Sequence, residues 1–318
     1  MKFKKILAAA LAACTLLLCG CENLVDHLIP DTTGDDSAFV PVDIEEGYVY
    51  FKDFDGNEIM LDGAPSSVAS LSPVATEIIV GIGAGRFISV IDSESAKIEG
   101  APISAETVPY YFGDFETMKR KAPEIVFYSS GTIDLVQMSQ LQKEGMKLVR
   151  IPERGNITTA EANIRFISSL LFRDAAGERI ISEMRGQMDR MKIAAELAGV
   201  RKTVYIENLA QFSACGSNSI VSELCAIAGA DNIFTDIGAG RSVSAALISE
   251  RDPEIVIILT MSPDTFDKNS FRKREGVDQV YASRTKSIYA LDYTTATRPT
   301  QNIVKALTEI GRIMKIVK

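Results

Sequence analysis

The sequence predicts an α/β protein of two lobes with mainly parallel sheets, joined by a long helical stretch. Three observations lead there. Short apolar runs of four or five residues alternate with helix-patterned segments and have no tight hairpins between them, the pattern of parallel strands covered on both faces. A helix-patterned stretch from Thr158 to Leu197 interrupts this alternation, which then resumes. Once the first 20 residues are set aside, 298 remain, more than one ordinary core holds.

Residues 1–20 read as an export signal: Lys2, Lys4 and Lys5, then the apolar run Ile6 to Leu18, then Cys19-Gly20-Cys21. The apolar run has 13 residues, against the roughly 20 that cross a bilayer. The ending resembles a bacterial lipobox, which makes Cys21 the acylated first residue of the mature chain. Two acyl chains hold a protein at a membrane where one binds only marginally. Residues 21–46 follow as an acidic, flexible linker without sustained periodicity.

The N-terminal lobe is expected over residues 47–156. Tyr48 to Phe51 and Glu58 to Leu61 flank Asp55-Gly56, a hairpin signal. Val68 to Leu71 is a buried strand ended by Ser72-Pro73, and Val74 to Val80 a helix ended by Gly81 and Gly83. Phe87 to Ile91 is strand-like, and Phe115 to Lys121 is a short helix closed by Pro123. Ile125 to Tyr128 is a strand, Asp134 to Glu144 a helix and Lys147 to Ile151 a strand. Connecting helices occupy residues 157–199: Thr158 and Glu161 fit a capping box before a helix to about Phe172, and Asp174 to Leu197 is a second. The C-terminal lobe, residues 200–318, alternates through Thr203 to Ile206, Ile220 to Ala228, Ala245 to Ser249, Ile255 to Leu259, Asp278 to Tyr281 and Ile288 to Leu291. Gln301 to Ile316 closes it as a helix.

Composition removes several functions. Without Lys2, Lys4 and Lys5 the balance is 31 basic to 42 acidic residues, which argues against nucleic acid or anionic lipid as partner. The single histidine, His27, lies in the linker, so Ser-His-Asp and Cys-His nucleophilic catalysis have no base in the lobes. Cys14 and Cys19 leave with the signal. Cys215 and Cys225 remain, and Cys225 sits in an apolar helical pattern that reads as a small buried side chain rather than half of a bridge. The carboxylates that a metal-dependent hydrolase would need, Asp92, Glu94, Asp114, Asp236 and Asp264, are scattered. No metal site and no catalytic residue is expected.

Certain segments, in order, carry a family resemblance. They are Val68-Ala69-Ser70-Leu71-Ser72-Pro73-Val74-Ala75-Thr76-Glu77, then Asp114-Phe115-Glu116 before Ala122-Pro123-Glu124-Ile125-Val126. Ser222-Glu223-Leu224 before Ala228-Gly229-Ala230-Asp231-Asn232-Ile233-Phe234 follows, and then Arg251-Asp252-Pro253-Glu254-Ile255-Val256-Ile257-Ile258. Behind a lipobox, from about Tyr48 to the C-terminus, this chain resembles the substrate-binding lipoproteins of ABC importers for iron complexes and vitamin B12. The resemblance implies a rigid helix between the lobes, a ligand cleft between them, and partners in permease subunits with a cytoplasmic ATPase. It also implies one glutamate per lobe that docks on the permease. In the N-lobe this position matches Glu116. In the C-lobe the family position falls on Ala226, and Glu223, nearly one helical turn earlier, takes the role. Glu77 also matches the pattern, with the end of its helix face as the other reading.

Open α/β sheets bind ligands beyond the strand C-termini. That rule nominates Ser72, the loop with Tyr110, Tyr111 and Phe112, and Tyr128 in the N-lobe, with Arg241, Tyr293 and Arg298 in the C-lobe. Arg241 and Arg298 suit an oxygen-rich anion, because a guanidinium donates two charge-assisted hydrogen bonds at once. The expected ligand is a ferric siderophore, held without turnover by a monomer anchored at the cell membrane and facing the extracellular side or periplasm. Cobalamin is the runner-up, with tyrosines standing in for absent tryptophan. Haem fits less well, since axial ligation would rest on tyrosine or methionine. A sensory lipoprotein that does not transport is a further alternative. No covalent cofactor beyond the lipid is expected.

Overall fold

The computed structural model describes residues 42–45, 48–111, 114–209, 212–238 and 240–317. The signal, Cys21, most of the linker and Phe112 lie outside them. No described helix is long and apolar enough to cross a membrane.

The chain enters through a three-stranded antiparallel meander, β1 (Val42–Glu45), β2 (Tyr48–Lys52) and β3 (Glu58–Leu61). The linker thus ends sooner than residue 46: Val42–Glu45 pairs along β2, from Val42 opposite Phe51 to Glu45 opposite Tyr48. Pairing supplies the order that sequence periodicity did not announce. The β2–β3 turn is fixed by Asp53, whose Oδ1 accepts from the amides of Asp55 (3.0 Å) and Asn57 (2.8 Å). Val49, Phe51 and Leu61 form its buried face, and Phe51 meets Phe166 edge-on at 5.7 Å between ring centroids.

The N-lobe sheet is wholly parallel. It contains β4 (Val68–Leu71), β5 (Ile88–Asp92), β6 (Glu106–Val108), β7 (Ile125–Tyr128) and β8 (Lys147–Arg150), in the order β6-β5-β4-β7-β8. Period-two alternation divides its side chains. Val68, Ile88, Ile125, Phe127 and Val149 pack towards α1 (Pro73–Gly81) and α4 (Ile157–Leu170). Ala69, Leu71, Val90, Val126 and Leu148 pack with Met118 of α2 (Phe115–Lys121) and Leu141 of α3 (Leu135–Lys143).

The connector is α4 followed by α5 (Asp174–Leu197). Its cap differs from the one expected at Thr158 and Glu161. Asn156 is the N-cap, its Oδ1 accepting from Thr159 N at 2.9 Å, while Thr159 Oγ1 accepts from Asn156 N at 3.2 Å. Glu161 instead lies almost buried on α4 and accepts from Arg185 Nε of α5 at 2.7 Å. Gly177 lets the two helices approach, since a Cβ there would sit 2.2 Å from Ser168 Oγ.

The C-lobe sheet contains β9 (Lys202–Asn208), β10 (Ser213–Ala214), β11 (Ala230–Asn232), β12 (Arg241–Ser242), β13 (Ile255–Thr260) and β14 (Ile288–Asp292). The order is β12-β10-β9-β13-β14, with β11 on the first half of β9. All pairs are parallel except those made by β10. Helices α6 (Ile220–Ile227), α7 (Ala245–Arg251), α8 (Asn269–Arg272), α9 (Tyr281–Thr285), α10 (Tyr293–Thr297) and α11 (Ile303–Ile313) complete it. One apolar cluster runs through both lobes. It takes Phe127 and Val149 from the first, Ile167, Ile181, Met184 and Met188 from the connector, and Ile206, Leu259, Leu307 and Ile310 from the second. The connector is therefore packed core, not a hinge strap.

Cys215 and Cys225 are both buried free thiols. Burial, helped by Glu207, pushes the Cys215 thiol up to about 12, which keeps it protonated and unreactive at neutral pH. Alkylation at pH 8 is therefore expected to leave both cysteines unmodified in the folded protein and to modify both after unfolding. Mass spectrometry checks this, and rapid native labelling would refute it.

Candidate functional site

The strand β9 delivers the chain to the C-lobe side of the site. At its end Glu207, only 2% exposed, accepts from Tyr205 Oη (3.0 Å), from Phe212 N (3.0 Å) and from Arg274 Nη1, which lies 2.7 Å from both carboxylate oxygens. Arg274 lies between the rings of Phe212 and Phe271, 5.4 and 5.0 Å from their centroids. Close to this network Leu209 and Phe212 hold positive φ values of 26° and 58°. Such backbone is costly for non-glycine residues and persists only where surroundings impose it.

At the end of β9 lies a cavity of about 140 Å³, lined by Asn208, Cys215, Asn218, Ser219, Ile220, Val221, Gly240, Tyr293 and Thr297 from the C-lobe and by Arg154 and Gly155 from the segment entering the connector. Gly155 is required there: its φ is 145°, and a Cβ would stand 2.2 Å from Thr159 Oγ1 of the cap. Asn208 Oδ1 is buried without a hydrogen-bond partner. Arg154 is exposed and makes no ion pair with any described residue.

The N-lobe side carries Tyr110 and Tyr111, packed edge-to-face with ring centroids 4.6 Å apart. Tyr110 is half-buried and Tyr111 is 60% exposed. Burial first, then the neighbouring Glu153, pushes the Tyr110 phenol up to about 12. Burial likewise raises Glu153, opposed by the adjacent Ser129 hydroxyl and by Arg154 and Arg298. Asp92, fully buried at the end of β5, is raised by burial although it accepts from the amides of Glu94 and Ser95 at 2.8 Å each. No group of three histidine, cysteine or carboxylate side chains able to hold a metal ion occurs among the described residues.

The other nominated residues fall in varied places. Ser72 is fully buried and caps α1, its Oγ accepting from Ala75 N at 3.3 Å. Tyr128, half-buried, packs on the core with Phe115 and Met138, and burial pushes its phenol up to about 12. Arg241 is exposed on the short edge strand β12, opposite Ala214. Tyr293 lines the cavity. Arg298 is not a ligand-ready cation, because its Nη1 donates to Glu77 Oε1 at 2.8 Å. Glu77, in turn, does not end a helix face; it is 9% exposed and faces the C-lobe. Glu116 is exposed in the first turn of α2, as a docking carboxylate requires. Glu223 departs from that role: its Oε2 accepts from Ile157 N at 2.8 Å, so the carboxylate caps the connector. Sequence reasoning missed Arg154, Glu153 and Ser219, although the C-terminal end of β8 marks the first.

Two α/β lobes on one packed connector, with a cavity lined by the C-lobe and by the segment that enters the connector, define a two-lobed solute-binding protein. The chain belongs to the periplasmic binding protein family, whose model matches residues 68–295. A comparison with curated proteins returns no match. Among solved structures, a possible iron-binding periplasmic solute-binding protein from Staphylococcus epidermidis aligns at 19% identity and a TM-score of 0.69, over 79% of this chain and 98% of that one. The haem-binding protein RhuT from Roseiflexus gives 19%, 0.66, 79% and 98%. An Fe3+-hydroxamate transport protein from Saccharomonospora viridis gives 18%, 0.62, 81% and 96%. At these identities the likeness concerns the fold.

Proposed function

We propose that this chain is the lipid-anchored, substrate-binding component of an ABC importer and captures a ferric siderophore between its lobes for delivery to the permease. The observation that carries the reading is the cavity lined jointly by Arg154 and Gly155 on one side and Asn208, Ser219 and Tyr293 on the other. It lies beyond the C-terminal ends of β8 and β9, where an α/β fold places a ligand. Membership of the periplasmic binding protein family and the similarity to iron-binding relatives agree with it. Tyr110 and Tyr111, packed edge to face in the N-lobe, are taken as aromatic contacts for the ligand, and the exposed Arg241 as a cation for it. Acylated Cys21 and the acidic linker keep the receptor beside its permease, so that docking through Glu116 needs little intrinsic affinity.

Native mass spectrometry of the purified protein tests the proposal. An iron chelate is expected to stay bound, and titration of the empty protein with ferric chelates is expected to quench tyrosine fluorescence without consuming the chelate. Bound cobalamin or haem would keep the importer role and change the cargo. Absence of binding to ferric chelates, corrinoids and haemin alike at high micromolar concentration would refute it.

A further inference from the structure

We infer that Asn163 is a positioning residue for the ligand: its side-chain amide fixes where two parts of the cavity lining stand relative to each other. This rests on the proposed importer role and adds to it a determinant of affinity. Asn163 lies in the second turn of α4 and is fully buried. Its Nδ2 donates twice, to Pro152 O at 3.0 Å and to Pro299 O at 3.3 Å. Pro152 stands two residues before Arg154, on the segment that brings Arg154 and Gly155 to the cavity. Pro299 stands two residues after Thr297, the last residue of α10, which brings Tyr293 and Thr297 to it. One planar group therefore ties together two pieces of chain that lie far apart in sequence and meet at one cavity.

Neither link has slack. A proline ring fixes its own φ and keeps the preceding residue extended, and Arg298 accordingly has φ −72° and ψ 127°. Arg298 N donates to Thr294 O at 3.0 Å and Thr300 N to Arg298 O at 2.8 Å, so the chain turns tightly about Pro299 straight out of α10. On the other link Ile151 N donates to Tyr128 O at 2.9 Å, which holds the residue before Pro152 to the N-lobe sheet. The amide is also turned at a cost. Asn163 Oδ1 is buried without a hydrogen-bond partner, an expense that a leucine of similar shape would avoid. What asparagine supplies and leucine does not is the pair of donors. A binding constellation keeps its fit only while its parts stay within about 0.5 Å of their places. Glu77 also holds the Pro299 turn, through Arg298 and Thr300, so loss of the Asn163 donors is expected to shift the spacing without freeing the segment.

Calorimetric titration of the full chain in detergent with ferric citrate, an uncharged ferric trihydroxamate, haemin and cyanocobalamin tests this. Stoichiometry reads the folded, active fraction, and Kd reads the fit. For the probe that the wild type binds best, Asn163→Leu is expected to keep the stoichiometry and raise Kd about tenfold, mostly through faster dissociation. Asn163→Asp keeps the shape with at most one donor and should fall between the two. Ile181→Ala, in the apolar cluster on α5 and outside the cavity lining, is the control. It should lower Tm at least as far as Asn163→Leu and leave Kd within about twofold. Unchanged Kd in both Asn163 variants, or an equal rise in Kd for Ile181→Ala, would overturn the inference and leave the importer role standing. So would Asn163 variants that fail to fold where Ile181→Ala folds, because that assigns Asn163 to the fold alone. A wild type that binds none of the four probes removes both.

Discussion

Replacing Glu207 with alanine is expected to lower stability by about 3–5 kcal/mol, the cost of leaving one partner of a buried ion pair without the other. Glu207 is 2% exposed and the Arg274 side chain 14%, so water cannot replace the lost carboxylate. The guanidinium would remain between Phe212 and Phe271, which stabilise a cation but accept no conventional hydrogen bond from it. Tyr205 would lose its acceptor in the same step, and so would the amide of Phe212. For a chain of this size the loss corresponds to a fall in Tm on the order of 10 °C. Glu207→Gln keeps the shape and one acceptor oxygen, and so should fall between alanine and wild type. Because Glu207 also holds Phe212 N and is followed directly by Asn208, which lines the cavity, the alanine variant should also weaken ligand binding where it still folds. Calorimetry with a ligand titration checks both effects, and a Tm within about 2 °C of wild type would show that the network carries little of the lobe's stability.

What was legible in the sequence depended on how far apart the interacting residues lie. The strand Ile125–Tyr128 and the helix Phe115–Lys121 occur over the residues that local pattern assigns. The helix is capped by Asp114, two and three residues from its targets, and the strand is announced by Pro123. Strands of two or three residues, such as β6, β10, β11 and β12, carry no period to read. They exist because a neighbouring strand is there to pair with. The cap of α4 shows two local signals competing. Thr158 and Glu161 fit the box in sequence, but Glu161 is held by Arg185, 24 residues on, and Asn156 closes the helix. Site residues followed the same rule. The aromatic cluster at Tyr110 and Tyr111 was visible as a loop too apolar for water. Arg298 and Glu223 read as available charges only because their partners, Glu77 and Ile157, stand 221 and 66 positions away. Arg154, unpaired and lining the cavity, sits in a connecting segment whose only sequence mark is a polar run between a strand and a cap.

Replacing Glu77 with alanine is expected to cost about 2–4 kcal/mol and to loosen the junction of the lobes. One carboxylate on α1 accepts from Arg298 Nη1 at 2.8 Å, Thr300 Oγ1 at 2.6 Å and Asn302 Nδ2 at 2.8 Å, and the Glu77 carbonyl accepts from Gln301 Nε2 at 2.7 Å. The whole segment between α10 and α11 is therefore tied to the first helix of the other lobe. A Cβ on Gly81 would stand 2.5 Å from Gln301 Nε2, so the two elements are also in close contact. Arg298 is about a quarter exposed at its side chain, which screens its share and sets the estimate below that for Glu207. Glu77→Gln separates charge from shape: its amide keeps one acceptor but turns an NH2 towards groups that donate, so it should recover little of the loss. In a double-mutant cycle with Arg298→Ala the two sites should couple by about 1–2 kcal/mol, because they share one hydrogen-bond network. Hydrogen exchange gives the sharper test. With the clamp removed, the amides at the start of α11 should lose protection before those of the core strands β9 and β13. Protection unchanged at α11 would mean that the apolar cluster through the connector holds the lobes together by itself.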